Sequence, residues 1–162
     1  MRSSGTAEMA TIPDKLARLL ETFAEMREEN ERVEVLLDFA QRFTRVPDRV
    51  ASRPFPEERR VPFCESEAYV WVEDQPNDSL RLYFAVENPA GVSAKALAYI
   101  LDRTLSGASA VQIAAVSPDI VSTIFRNNIS MGKGMGLMAM VRAVQKEARK
   151  RLTGWPADRL TS

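Results

Sequence analysis

Hydrophobic positions recur with a helical period at both ends of the chain and with a period of two in the middle. In residues 12–27, I-P-D-K-L-A-R-L-L-E-T-F-A-E-M-R, Leu16, Leu19, Leu20 and Phe23 lie at i, i+3, i+4 and i+7, and Pro13 suits a first helical turn. A second helix is predicted from Asn30 as N-cap, with Val33, Leu36, Leu37 and Ala40 as its inner stripe. The short E-E-N link between them predicts an antiparallel pair. Between Val46 and Pro62, four prolines (Pro47, Pro54, Pro56 and Pro62) among charged residues exclude a continuous helix and predict an extended surface loop.

Two alternating runs follow. E-A-Y-V-W-V places Ala68, Val70 and Val72 on one face and Tyr69 and Trp71 on the other; L-R-L-Y-F-A-V repeats the alternation through Leu80, Leu82, Phe84 and Val86. The intervening E-D-Q-P-N-D-S has turn chemistry, so the runs should form an antiparallel hairpin, with a short third strand through Arg60–Phe63. Beyond it, Ser93 is expected to cap a helix with Leu97, Ile100, Leu101 and Leu105 inside and an end at Gly107. Short helical turns at 111–115 and 118–125 precede a long helix from about Gly134 to Leu152. The pattern predicts an α+β domain over residues 12–152, a small antiparallel sheet of about three strands packed with N- and C-terminal helices. Residues 1–11 read as a flexible extension and 153–162 as a loosely held tail.

Composition narrows the chemistry. With 22 basic and 22 acidic side chains the formal charge of the 162 residues is zero, so no nucleic-acid partner is expected. The apolar runs are too short to span a bilayer, which argues against a membrane partner. M-R-S-S-G-T-A-E-M lacks the apolar core of a secretion signal, so a cytoplasmic location is expected. Histidine is absent, which removes Ser-His-Asp and Cys-His catalysis and imidazole metal sites. One cysteine allows neither an internal disulfide nor an all-cysteine metal site, and no acidic motif marks a magnesium site; no metal is expected.

That cysteine, Cys64, sits in R-R-V-P-F-C-E-S-E-A-Y-V-W-V. A lone cysteine is commonly a small buried hydrophobe, but the polar residues around Cys64 suggest a rim. Thiolate fraction sets its reactivity, which Arg59 and Arg60 would raise and Glu65 and Glu67 would lower. The stretch S-M-G-K-G-M-G-L-M-A-M at 130–140 fails the Walker spacing, because Lys133 is not followed by Ser or Thr. It reads as a tight turn in which Gly132, Gly134 and Gly136 permit close backbone approach, with Lys133 as a cation at a helix start. Tyr69 and Trp71 read as sheet packing.

Taken in order, I-P-D-K-L, V-P-F-C-E-S-E-A-Y (61–69) and G-L-M-A-M-V-R-A (136–143) resemble the SufE-type sulfur acceptors of iron–sulfur cluster assembly. That family typically reads V-x-G-C-Q-S-Q-V-W at its cysteine and S-P-S-R-S-x-G-L-x-A-M-[IV]-R at its last helix. Here Phe63 replaces glycine, Glu65 and Glu67 replace glutamines, Tyr69 replaces tryptophan and Lys133 stands at the arginine. The resemblance implies a SufE/NifU-like fold and a cysteine that takes persulfide sulfur from a cysteine desulfurase. Cys64 matches the acceptor, while Glu65, Ser66, Glu67, Lys133, Gly136 and Arg142 match supporting positions. It implies a sulfur-transfer partner and activator of the desulfurase, not an independent enzyme. No cofactor of its own is implied, since the desulfurase carries pyridoxal phosphate. A Suf cluster scaffold complex is a further candidate partner, and a monomer or weak homodimer is expected. Two other readings stand beside it: a non-catalytic peptide- or helix-binding module in which Cys64 is structural, and a nucleotide-dependent enzyme built on the 132–136 turn.

Overall fold

The computed structural model describes residues 11–152. The expected tail and all but the last residue of the expected N-terminal extension lie outside them. Eight elements follow in order: α1 (Asp14–Glu25), α2 (Glu29–Arg42), β1 (Ala68–Gln75), β2 (Ser79–Val86), α3 (Val92–Leu105), α4 (Ala110–Ala114), α5 (Ile120–Phe125) and α6 (Met131–Lys150). The architecture is the expected α+β arrangement, with two strands in place of about three. Arg60 makes only an isolated bridge to Tyr69, and Val61 N–H donates to Ala68 O at 2.8 Å. Pro62 has no N–H to extend that pairing, and Phe63 at φ 61° turns the chain away.

β1 and β2 pair antiparallel, with Ala68 opposite Val86 and Trp71 opposite Tyr83. The turn at Pro76–Asp78 puts Asn77 and Asp78 at positive φ, a conformation these two side chains tolerate well. Alternation along both strands builds two cores. Ala68, Val70, Leu80, Leu82, Phe84 and Val86 face the helices. Tyr69, Trp71, Tyr83 and Ala85 face the other way and are covered by Val46, Val50, Ala51 and Phe55. The proline-rich segment is thus the expected surface loop, most of its residues exposed, and its few apolar side chains also cover the second face of the sheet.

α3 is the central helix. Leu97, Ile100, Leu101 and Leu105 are fully buried, each stabilising by roughly 1.5–3 kcal/mol. Gly107 ends the segment at φ 95° as expected, but Gly91, not Ser93, occupies the N-cap position. α1 packs on α5 and α3, and α2 lies along α3, so the expected α1–α2 packed pair gives way to these partners. The inner stripe of α2 is also rotated: Val33 and Leu37 are exposed, while Arg32 and Leu36 are buried. Asn30 lies inside the helix, one residue beyond its start. The rotation follows from Arg32, which donates to the carbonyls of Phe23 (2.6 Å) and Met26 (3.2 Å) on one side and of Thr123 (3.0 Å) and Ile124 (2.7 Å) on the other. These carbonyls close the C-terminal ends of α1 and α5, where a cation is favoured.

Glu147 of α6 anchors the opposite end. Burial alone would raise its carboxyl pKa, but hydrogen bonds from Lys150 and Arg151 outweigh this and hold it below the ordinary value. Arg151 also reaches Asp74 (2.9 Å) and Val72 O (3.1 Å), tying the end of α6 to β1. A depressed folded-state pKa contributes stability above the unfolded value and loses it as pH falls through the folded value. Glu147→Gln is therefore expected to lower stability at neutral pH, and to flatten the loss of stability that the parent shows as pH falls through and below the ordinary carboxylate range. Urea midpoints across that range check this; parallel curves would refute it.

Candidate functional site

Cys64 lies in the short connection between the Arg60 bridge and β1. Its side chain is 7 % exposed and packs into the main core, so the rim expected from its polar neighbours is a property of the neighbours alone. Phe63, immediately before it, is 82 % exposed. A left-handed residue on each side, Phe63 at φ 61° and Glu67 at φ 54°, makes the inversion: it turns the thiol inward while the loop's polar and aromatic side chains face out.

Two elements hold the loop in place. From the segment after β2, Asn88 N–H donates to Ser66 O (3.1 Å), its side-chain amide donates to Glu65 O (3.3 Å), and its Oδ1 accepts from Ala90 N–H (2.9 Å). Glu87 N–H donates to Glu67 O at 3.1 Å. From below, α6 presents Gly136, where a Cβ would stand 3.1 Å from Cys64 Cα and 3.1 Å from Phe63 O. Gly91 is pressed harder: a Cβ there would meet Val86 Cγ1 at 2.8 Å and Ser66 Cβ at 2.9 Å.

A cavity of about 200 Å³ opens beside the thiol, lined by Cys64, Glu65, Ser66, Lys133 and Gly136 together with Asn88 and the start of α3. Five of the seven residues singled out in the sequence thus converge. Glu67 does not line the cavity and serves through its carbonyl. Arg142 faces a neighbouring groove on the other side of Phe63, shared with Arg59, Arg60 and Lys146. Arg59 is engaged there with Glu147 at 3.8 Å.

The glycine-rich stretch forms no tight turn. It is the first two turns of α6, capped by Ser130, whose Oγ accepts from Lys133 N–H at 3.2 Å. Only Gly136 of its three glycines is needed for close approach; a Cβ on Gly132 would meet nothing within 4 Å, and one on Gly134 only Ile129 Cδ1 at 3.5 Å. Gly136→Ala is accordingly expected to push the Cys64 loop outward by a few tenths of an ångström and to raise the alkylation rate of Cys64. Gly132→Ala should instead leave that rate unchanged while adding roughly 1 kcal/mol of helix stability. Equal alkylation rates in the two variants would show that Gly136 does not set the thiol's cover.

Asn88 and Gly91 escaped the sequence reading, although N-P-A-G directly after a strand is a recognisable turn signal. What it does not reveal is that this turn meets the Cys64 loop. Among the described residues, no group of three or more Cys, Asp or Glu side chains gathers as metal ligands, and no helix is long and apolar enough to cross a membrane.

A family model described as "SufE: Fe-S metabolism associated domain" matches residues 17–148. The chain belongs to the SufE family. Its association with iron–sulfur metabolism follows at that level. The SufE match spans the Cys64 loop, the segment after β2 and all but the last two residues of α6. A solution structure described as that of a hypothetical protein from Thermus thermophilus is similar to this SufE chain, with 29 % identity and a TM-score of 0.70. The alignment covers 89 % of this chain and 100 % of that one. No curated protein matches it significantly.

Proposed function

We propose that the protein is a sulfur acceptor that takes persulfide sulfur from a cysteine desulfurase onto Cys64, stimulates that enzyme, and passes the sulfur on for iron–sulfur cluster assembly. The observation that carries this reading is the placement of Cys64. The one thiol is turned inward on a short, externally strapped loop, beside a cavity large enough for an added sulfur atom. The start of α6 contributes Gly132, Lys133 and Gly136 to that cavity, so an anionic sulfur there faces the positive end of a 20-residue helix and one lysine.

The transfer balances as a thiol exchange. The Cys64 thiolate attacks the outer sulfur of the partner's persulfide. A new S–S bond forms at Cys64, the partner's S–S bond breaks, and the partner cysteine leaves as thiolate. No net oxidation occurs, and no second cysteine in the chain can discharge Cys64 as an internal disulfide. In-line attack needs the thiol to leave its cover, which requires releasing the Asn88 hydrogen bonds. Phe63, already in solvent, is the side chain positioned for a partner to grip. Once back under cover, the persulfide is shielded from oxidants.

The burial of Cys64 favours one rival, an interaction module in which the thiol only fills space. Mass spectrometry separates them. Incubation with desulfurase and cysteine is expected to add one sulfur mass to the chain; an unchanged mass, with the desulfurase active, would leave the rival standing and end the acceptor reading.

A further inference from the structure

The zero net charge hides a local concentration of arginine. A cavity of about 510 Å³ lies between the end of α2, the segment after it, β2 and α3, and it shares no lining residue with the Cys64 cavity. Arg42, Arg45, Arg49, Arg81 and Arg103 line it, with Asp102 the one carboxylate among its lining residues. Tyr83 and Tyr99 add aromatic walls; Arg49 and Arg81 stand over the Tyr83 ring at 5.6 and 5.2 Å, and Arg103 over Tyr99 at 5.9 Å.

These guanidinium groups are incompletely engaged. Arg42 donates once to Asp38 at 2.8 Å. Arg49 donates to Tyr83 Oη at 2.6 Å and stands 3.7 Å from Glu73. Arg45 is 4.0 Å from Asp48, and Arg81 is 3.8 Å from Asp102 with its Nε shielded and lacking an acceptor. Arg103 has no carboxylate within ion-pair distance among the described residues. Arg53 shows what a satisfied arginine looks like in this fold: it grips Glu87 through two hydrogen bonds, at 2.6 and 2.9 Å. Four of the five stand within 4.0 Å of a carboxylate, but none of these pairs is a two-bonded fork, so guanidinium donors remain for an anion in the cavity.

We propose that this cavity binds a small molecule carrying a di- or triphosphate. Guanidinium forks match phosphate oxygens in pairs, and every cation lining the cavity is arginine, not lysine. The volume falls within the range of small-molecule sites. Linked phosphates offer oxygens to several of the guanidinium groups at once, more than a single inorganic anion presents. Neutral overall charge disfavours a long polyanion such as nucleic acid.

The test is calorimetric titration of the full chain with pyrophosphate at about 0.15 M salt. One saturable site is expected, weakened roughly tenfold in Arg103→Gln and in Arg81→Gln. Sulfate at the same concentration should not displace the pyrophosphate. Arg103 is exposed, so its variant tests the site even where Arg81→Gln disturbs the sheet. Absence of saturable binding would overturn the proposal. So would unchanged affinity in Arg103→Gln, or sulfate competing as well as pyrophosphate, which would mark an adventitious ion only.

Discussion

Cys64→Ala protein mixed with active desulfurase and cysteine is expected to keep its original mass, while the parent chain gains one sulfur. The effect is all-or-none, because no other side chain in the 162 residues can form a persulfide. The choice of alanine matters. Cys64 is packed in the main core, so a serine hydroxyl there would be buried without an evident acceptor, and a loss of function could be blamed on the fold. Alanine removes only the sulfur and is expected to cost roughly 1 kcal/mol, visible as a small shift in melting temperature. A folded Cys64→Ala variant that still gained sulfur mass would place the acceptor outside this chain's thiol chemistry altogether. Desulfurase turnover gives a second readout: stimulation by the parent chain should disappear with the variant, since turnover requires that the enzyme's persulfide be removed.

Arg32→Met is expected to produce the largest loss of stability of any single substitution outside the hydrophobic core, on the order of 3 kcal/mol. Two effects oppose each other. Burial and the nearby Arg126 pull the Arg32 pKa below its ordinary value, which means the fold carries a cost for keeping this charge inside. Methionine of similar length would remove that cost. It would also remove the donor that reaches Ile124 O at 2.7 Å in the interior and leave Phe23 O with only the 3.3 Å bond from Met26 N–H in place of its 2.6 Å bond, and under-satisfied buried acceptors cost more than the charge does. Arg126 offers Phe23 O only a 3.5 Å substitute, its better bond going to Ala24 O at 2.6 Å. Urea denaturation checks the sum: the midpoint should fall with an unchanged slope, and an unfolding free energy within about 0.5 kcal/mol of the parent would show that the carbonyls find other partners. Arg32→Lys should fall between, because one ammonium cannot span both helix ends.

The same residue shows where one-dimensional reading stops. Periodicity placed Val33 and Leu37 inside α2, since apolar side chains at helical spacing ordinarily mark the buried face. The face that packs carries Arg32, because two helix ends with unsatisfied carbonyls meet there, and those ends come from residues 23–26 and 123–124. Local pattern carries no record of that meeting. Periodicity succeeded for α3 and for the hairpin because their partners are broad apolar layers, which accept any side chain of suitable size. The glycine content of 130–140 misled for a related reason: Ser130 caps a helix that starts at Met131, and glycines are tolerated in its first turns while one of them, Gly136, lies under another segment.

For the site, the motif around Cys64 was enough to mark the residue, and the resemblance to the SufE family joined it with Lys133 and Gly136, because both motifs are written in the chain. Whether the thiol faced solvent was not. That was decided by two left-handed residues, by a strap from Asn88 some two dozen positions later, and by a glycine about seventy positions on that lets a helix close underneath. Sequence alone determined the class of fold, the hairpin, the central helix and the one thiol on which the proposed chemistry rests. Tertiary structure alone decided which surfaces are covered, which arginines share a cavity, and that the sulfur rests inside, because burial and convergence are set by contacts between segments far apart in the chain.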